Sequence, residues 1–233
     1  MGAIGRWFPE NVSTFGPAID GVFFLIYYIV GFWFILTTAV ILYLGVRYRR
    51  RSGRPAAYVR GDRWRELSWI LIPAAIILVL DLAIDAAGAR VWDTVKTHLP
   101  AGDVHLIVTG KQFEWLVTYP GADATLDTAD DFTVNNELHV PVDRDIRVTL
   151  RSQDVVHSFF LPNVRLKQDA LPGRSIDVWF KVTKPGEYEL ACAELCGFGH
   201  YTMRAKFIAH PPDEYAQWVR AHAPSRTAED PPS

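Results

Sequence analysis

The chain has 233 residues and a formal net charge of −2, from 24 basic and 26 acidic side chains. That length leaves room for one ordinary domain and something smaller, and so even a balance offers no electrostatic footprint for nucleic acid. Two cysteines are too few for a disulfide framework, and a slightly positive mean hydropathy beside 21% charged residues points to a strongly apolar part joined to a polar one.

The apolar part comes first. Residues 22–46, VFFLIYYIVGFWFILTTAVILYLGV, carry no charge and exceed the roughly 20 residues needed to cross a bilayer core. The run is too long for a signal-peptide core, and no small-residue cleavage site follows it. The competing account is a buried helix of a soluble core, which the length disfavours. Arg47, Arg49, Arg50, Arg51, Arg54, Arg60, Arg63 and Arg65 come next, whereas the preceding tail holds only Arg6. The positive-inside rule makes this loop cytoplasmic, in contact with lipid head groups. Both termini, and everything after about residue 92, then face the periplasm or cell exterior of a bacterium.

A second stretch, residues 67–89, is apolar apart from Asp81 and Asp85. Four residues apart, these two share one helix face. Carboxylates facing lipid are costly, so they either lie near the outer interface or serve a buried role; the sequence leaves both open. Glu66 opens this stretch, where the helix dipole favours an acid.

From residue 104 to 210 the pattern changes to period two. VHLIVTG, FEWLVTYP, NELHVPV, DIRVTLRS, SIDVWFKV, GEYELAC and RAKFIAH are short β-rich runs separated by turn signals, the pattern of an all-β sandwich or barrel. A hairpin is expected at Asn135-Asn136. The segment from Pro212 has the pattern of a short amphipathic helix, followed by a disordered polar stub.

Both cysteines and the only internal methionine fall within CAELCGFGHYTM, residues 192–203. A disulfide between Cys192 and Cys196 would close a very small ring and leave His200 and Met203 unexplained. Zinc accepts thiolates and imidazoles but has no use for a thioether. Soft thiolate and thioether donors together with imidazole select copper. One cysteine, histidine and methionine would build a mononuclear site; with two, the thiolates can each bridge two ions. Each ion then needs an imidazole, and His157 in SQDVVHSFFLP is the best second candidate, against the ordinary expectation that a lone histidine at a strand end is structural.

SQDVVHSFFLPNVRLKQDALPGR followed by GEYELACAELCGFGHYTM closely resembles subunit II of the cytochrome c oxidases of the haem-copper family. The resemblance runs from about residue 13 to 218. It implies an N-terminal two-helix transmembrane hairpin plus a C-terminal all-β cupredoxin-like sandwich. The corresponding divisions are an extracytoplasmic tail 1–20, a helical hairpin 21–92 with a cytoplasmic arginine-rich loop, a cupredoxin-like copper domain 93–212, and a C-terminal helix with disordered tail 213–233. It also implies a dinuclear CuA centre bridged by Cys192 and Cys196, with His157 and Met203 completing one copper, and His200 and the Glu194 carbonyl the other. The Glu194 side chain would reach a magnesium ion shared with subunit I, and Gly197 and Gly199 would let the loop fold tightly. Glu66 matches the family's glutamate at the mouth of the proton channel called K.

On this resemblance the chain is the subunit of a two-pass bacterial membrane oxidase that takes electrons from cytochrome c or another haem c protein and hands them to subunit I. Haem, oxygen reduction and proton pumping belong to that partner complex; with no C-x-x-C-H, none of the haem is attached here. The family's Q-W-Y-W stretch reads Gln112-Phe113-Glu114-Trp115 in this chain. Phe113 thus stands where the family has the tryptophan at which electrons arrive, while Trp115 is retained. This change is open to two readings, plain packing on the rim or an unusual donor. Asp154 and Glu194 match acids of the docking region, and Asp123, Asp127, Asp130 and Asp131 form an acidic loop that substitutes where Asn135 and Asn136 stand. A quinol oxidase subunit would lack the copper ligands, and a membrane-anchored copper carrier would favour exposed thiols. The electron-accepting subunit of a CuA-type nitric oxide reductase stays open.

Overall fold

The computed structural model describes residues 8–53, 55, 58–121 and 123–224. Arg6, Arg54 and the polar stub from residue 225 lie outside the described residues. The chain divides into two units: Ala18–Asp93, and the remainder, Met1–Pro17 with Thr94–Ser233.

Helices dominate the first unit: α1, Gly16–Arg47, and α2, Trp64–Trp92, which continues into a π-helical turn, Asp93–Thr97. At 1.5 Å per residue, their 32 and 29 residues reach about 48 and about 44 Å, well beyond a hydrocarbon core of about 30 Å. Both are long and apolar enough to cross a membrane. Gly16 is the only residue buried in α1, and α2 buries none. Phe34, Ile35, Ile41, Ile70 and Val79 stand exposed. A water-soluble fold would hide such side chains, each stabilised by about 1.5–3 kcal/mol when removed from water; these helices need lipid or partner helices. Asp81 and Asp85 are exposed on α2. Glu66, in its first turn, accepts the Gly61 N–H at 2.7 Å.

Ten strands form the second unit: β1 (Val104–Lys111), β2 (Glu114–Tyr119), β3 (Phe132–Asn135), β4 (Glu137–Pro141), β5 (Ile146–Ser152), β6 (His157–Leu161), β7 (Leu166–Ala170), β8 (Ile176–Phe180), β9 (Gly186–Cys192) and β10 (Arg204–His210). They make two five-stranded sheets, ordered β3-β2-β1-β5-β8 and β4-β10-β9-β6-β7. Period-two patterning decides which face is inside: Ile146, Val148 and Leu150 of β5 are buried, as are Trp115, Val117 and Tyr119 of β2. The expected hairpin at Asn135-Asn136 is absent. β3 pairs with β2 and β4 with β10, so the chain changes sheets there. Asn136, at φ 57°, makes the sharp corner, and its side chain accepts the Trp115 N–H at 2.9 Å. Asparagine tolerates this left-handed conformation, which serves a corner as readily as a hairpin.

The segment before α1 is built into this sandwich. Val12 donates its N–H to the Asn163 carbonyl at 2.9 Å and accepts from the Thr183 N–H at 2.8 Å. Ser13 Oγ donates to the Val164 carbonyl and accepts the Gly16 N–H at 3.0 Å, so one hydroxyl both caps the start of α1 and ties it to the turn between β6 and β7. Phe15 packs edge-on against Trp179.

The C-terminal helix α3, Pro212–His222, is fastened by Trp218. Its ring stacks on His139 at 4.0 Å between centroids and on His222 at 4.6 Å. His139 Nε2 faces Glu137 at 3.2 Å, which leaves Nδ1 to accept from His210 Nε2 at 2.8 Å. Burial pushes both imidazoles below their ordinary range, against the pull of Glu137 on His139 and of Glu214 on His210; His210 and His222 lower His139 further. Folded-state values below the unfolded one mean that unfolding takes up protons on acidification. This contribution to stability is complete above the unfolded value of about 6.5 and is lost as pH falls through it. The thermal midpoint of the detergent-solubilised chain should therefore drop between about pH 7 and about pH 5.5, and His210→Gln, which keeps a donor but cannot titrate, should flatten that slope. A wild-type midpoint independent of pH across this window would contradict the assignment.

Candidate metal centre

Strand pairing explains how residues from distant segments meet. β6 and β9 run antiparallel with Phe159 opposite Cys192. His157, two residues before Phe159, therefore shares its face and is fully buried beside the cysteines. β9 leads through the loop 193–203 into β10, and Arg204 pairs back with Ala191. This loop is anchored at both ends: the Ala193 N–H donates to the Ser158 carbonyl at 3.0 Å, and the Cys192 N–H to the Met203 carbonyl at 3.1 Å.

The six candidate donors converge. Cys192 Sγ lies 3.9 Å from Cys196 Sγ, 3.9 Å from His157 Nδ1 and 3.2 Å from the Glu194 carbonyl oxygen. Cys196 Sγ lies 3.6 Å from His200 Nδ1 and 3.7 Å from Met203 Sδ. Both cysteines are free. A disulfide needs about 2.05 Å between sulfurs, whereas two thiolate–metal bonds of about 2.3 Å, the zinc value, bridge 3.9 Å with ease. The ligand atoms of His157, Cys192 and Cys196 lie within 4.8 Å of one another. Burial, and then the adjacent Cys192, push the Cys196 thiol up to about 11. A thiol so placed keeps its proton unless a cation replaces it. Thiolates, a thioether and imidazoles brought together at one place suit copper, a soft metal, better than zinc.

Further residues shape the site without being donors. Asp154 Oδ1 pairs with His157 Nε2 at 2.8 Å, which puts the proton on Nε2 and leaves Nδ1 to face the sulfurs. Burial works against the Asp154 carboxylate, but the Gln112 N–H, His157 and the Val155 N–H hold it below the usual range. The sequence suggested Asp154 only as a docking charge; its orienting role follows from the loop between β5 and β6, which turns its carboxylate onto the ring three residues on. Gly110 of β1 lies against His157: a Cβ there would come within 2.7 Å of the imidazole Cδ2. Nothing in the local sequence signals that contact, since it joins residues 47 positions apart in different sheets.

The other candidates are distributed as follows. Trp115 is fully buried, edge-on to His157 with centroids 6.0 Å apart, so no docking protein can touch it. Its Nε1 is buried without a hydrogen-bond partner. Phe113 is half-buried at the rim. Glu194 turns its carbonyl toward Cys192 while the residue is exposed. Glu66 belongs to the other unit. The acidic loop is laced internally: the Asp123 N–H donates to Asp130 and the Asp127 N–H to Asp131. Leu195, Phe198 and Tyr201 of the donor loop are strongly exposed.

Known proteins resemble this chain along most of its length. Residues 107–208 match the family described as cytochrome C oxidase subunit II, periplasmic domain. The chain is 30% identical to cytochrome c oxidase subunit 2 of Synechocystis sp., an alignment covering 96% of this chain and 80% of that one. It is 32% identical to the alternative cytochrome c oxidase subunit 2 of Bradyrhizobium diazoefficiens, covering 91% and 83%. Among solved structures, the periplasmic domain of subunit II of cytochrome oxidase (CoxB) of Bradyrhizobium japonicum aligns with a TM-score of 0.49 and 33% identity, over 54% of this chain and 96% of that one.

Loss of the carboxylate–imidazole contact should weaken metal binding without unfolding the domain. Asp154→Asn is expected to lower copper affinity about 10–100-fold, measured by chelator competition on the detergent-solubilised chain. An affinity equal to wild type would show that Asp154 does not orient His157.

Proposed function

Because this chain belongs to the cytochrome c oxidase subunit II family, we propose that it is the electron-accepting subunit of a bacterial haem-copper oxidase, receiving single electrons at a dinuclear copper centre. The observation that carries the proposal is the convergence of six donors around two unbonded sulfurs 3.9 Å apart. When bound, a copper pair bridged by two thiolates would share one electron over both ions with little change in geometry, which suits rapid electron transfer rather than bond chemistry. In our assignment Cys192 and Cys196 would hold both ions, with His157 and Met203 the further ligands of one and His200 and the Glu194 carbonyl those of the other.

The chain's own residues prepare that site. Asp154 fixes the His157 tautomer, and the buried Trp115 and Phe159 rings, edge to face at 5.9 Å, close its inner side to water. Phe113, half-buried at the rim, and the buried Trp115 are the residues by which electrons would arrive. The donor is cytochrome c or another haem c protein, and the electron passes on to haem in subunit I, where oxygen is reduced and protons are pumped. The exposed side chain of Glu194 is available to a magnesium ion shared with subunit I. Glu66 would serve at the mouth of that partner's proton channel, and its contact with the Gly61 N–H would hold the carboxylate near the α2 terminus. The helices sit in the cell membrane with the arginine-rich loop in the cytoplasm and lipid around them. On this reading the copper domain faces the cell exterior or periplasm.

Copper loading tests the centre. The full chain should hold two coppers and show a near-infrared mixed-valence band, and Cys196→Ser should remove the band. A single copper, or a band that survives the substitution, would refute the bridging assignment. Docking is tested by reduction kinetics with a basic haem c donor. Exposed complementary charges mainly raise the encounter rate and are screened by salt. The second-order rate should therefore fall with ionic strength, and less steeply for Asp127→Asn/Asp131→Asn; an identical salt dependence would remove the acidic loop from the docking surface.

A further inference from the structure

The pairing of β6 with β9 secures only one side of the metal loop. Cys192 is held by Phe159 across the sheet, but Cys196 and His200 lie beyond the last paired residue. The turn between β1 and β2 meets them there. Gln112 makes two tethers. Its backbone N–H donates to Asp154 Oδ2 at 2.8 Å, the carboxylate whose other oxygen holds His157. Its side-chain Nε2 donates to the Cys196 carbonyl. One residue thus ties the segment that carries His157 to the segment that carries Cys196.

The next residue fills the space between. The Phe113 ring lies against Gly197 and Gly199. A Cβ on Gly199 would come within 2.6 Å of Phe113 Cγ, and a Cβ on Gly197 within 3.1 Å of its Cε1 and Cζ and 2.7 Å of Gln112 Nε2. The two glycines answer different demands. Gly197 has φ +140°, a conformation side chains rarely adopt. Gly199 has φ −89° and ψ 9°, which other residues can adopt. At Gly199 it is therefore the ring, not the backbone angle, that forbids a side chain.

We propose that Gln112 and Phe113 act as a positioning clamp, a two-ended hydrogen-bonded strap with an aromatic knob seated on Gly197 and Gly199, that sets the separation between His157 and the Cys196–His200 side of the metal site. The clamp rests on the copper reading above. It gives Phe113 a role apart from electron relay: the ring is the counterpart of a slot in the ligand loop. Interior contacts at packing density transmit displacements of this size directly to neighbouring groups.

Four variants of the full chain, purified in detergent, test the clamp: Gln112→Ala, Gly199→Ala, Phe113→Ala, and Gly199→Ala/Phe113→Ala. Three quantities are read from each: copper affinity by chelator competition, the position of the near-infrared band, and the melting temperature of the copper-free chain. Gln112→Ala, at an exposed turn, should leave the copper-free melt unchanged while shifting the band and weakening copper about tenfold, the lower end expected for loss of a group that positions a ligand. Gly199→Ala should weaken copper by at least as much, and the added Phe113→Ala should restore affinity to that of Phe113→Ala alone, since contacting residues couple. Wild-type band and affinity in Gln112→Ala, or a Gly199→Ala defect that Phe113→Ala fails to relieve, would overturn the clamp while leaving the copper reading intact. A wild-type chain that binds no copper pair would overturn that reading, and the clamp with it.

Discussion

Two thiols lie buried side by side 3.9 Å apart, and burial beside a second sulfur makes the Cys196 thiol resist losing its proton. Burial and the neighbouring sulfur act in the same direction on Cys196. Only a cation that takes the protons' place makes the pair of anions tolerable. A stable domain gains nothing from such an arrangement by itself, and an apolar pair of similar volume would pack there without the cost of buried ionisable groups. The surrounding structure makes sense as what holds these sulfurs near each other, unbonded, with imidazoles and a thioether turned toward them.

That holding is done by elements far apart in the chain. The β6–β9 ladder sets His157 beside Cys192, the loop's own hydrogen bonds bring Cys196, His200 and Met203 round, and Asp154 turns the His157 ring. Glycines at 110, 197 and 199 are places where something else comes too close for a side chain: His157 against Gly110, Gln112 and Phe113 against the other two.

The segments flanking the two helices are ordered. Residues 12–15 are hydrogen-bonded and packed into the sandwich before α1 begins, and the π-helical turn Asp93–Thr97 leads from α2 toward β1. Both helices present apolar side chains on all sides, unlike the one-sided stripe of a surface helix. Asp81 and Asp85 interrupt this surface and need water, the interface or a polar partner to be tolerated.

Much was legible without coordinates. Helix length and the absence of charge over residues 22–46 determine a span, because a bilayer accepts little else. Alternation of apolar and polar residues determines the strands, because side chains on a strand point to opposite faces. The donor set of residues 192–203 points to a soft-metal site, because two thiols, a thioether and an imidazole in twelve positions suit a soft cation. What only the tertiary structure decided are relations between segments: the change of sheets at Asn136, the burial of Trp115, the grip of Asp154 on His157, and the seat of Phe113 on Gly197 and Gly199. Local sequence carries a residue's type and its neighbours along the chain. It cannot carry the identity of a contact from tens of residues away, which exists only once two sheets have packed face to face.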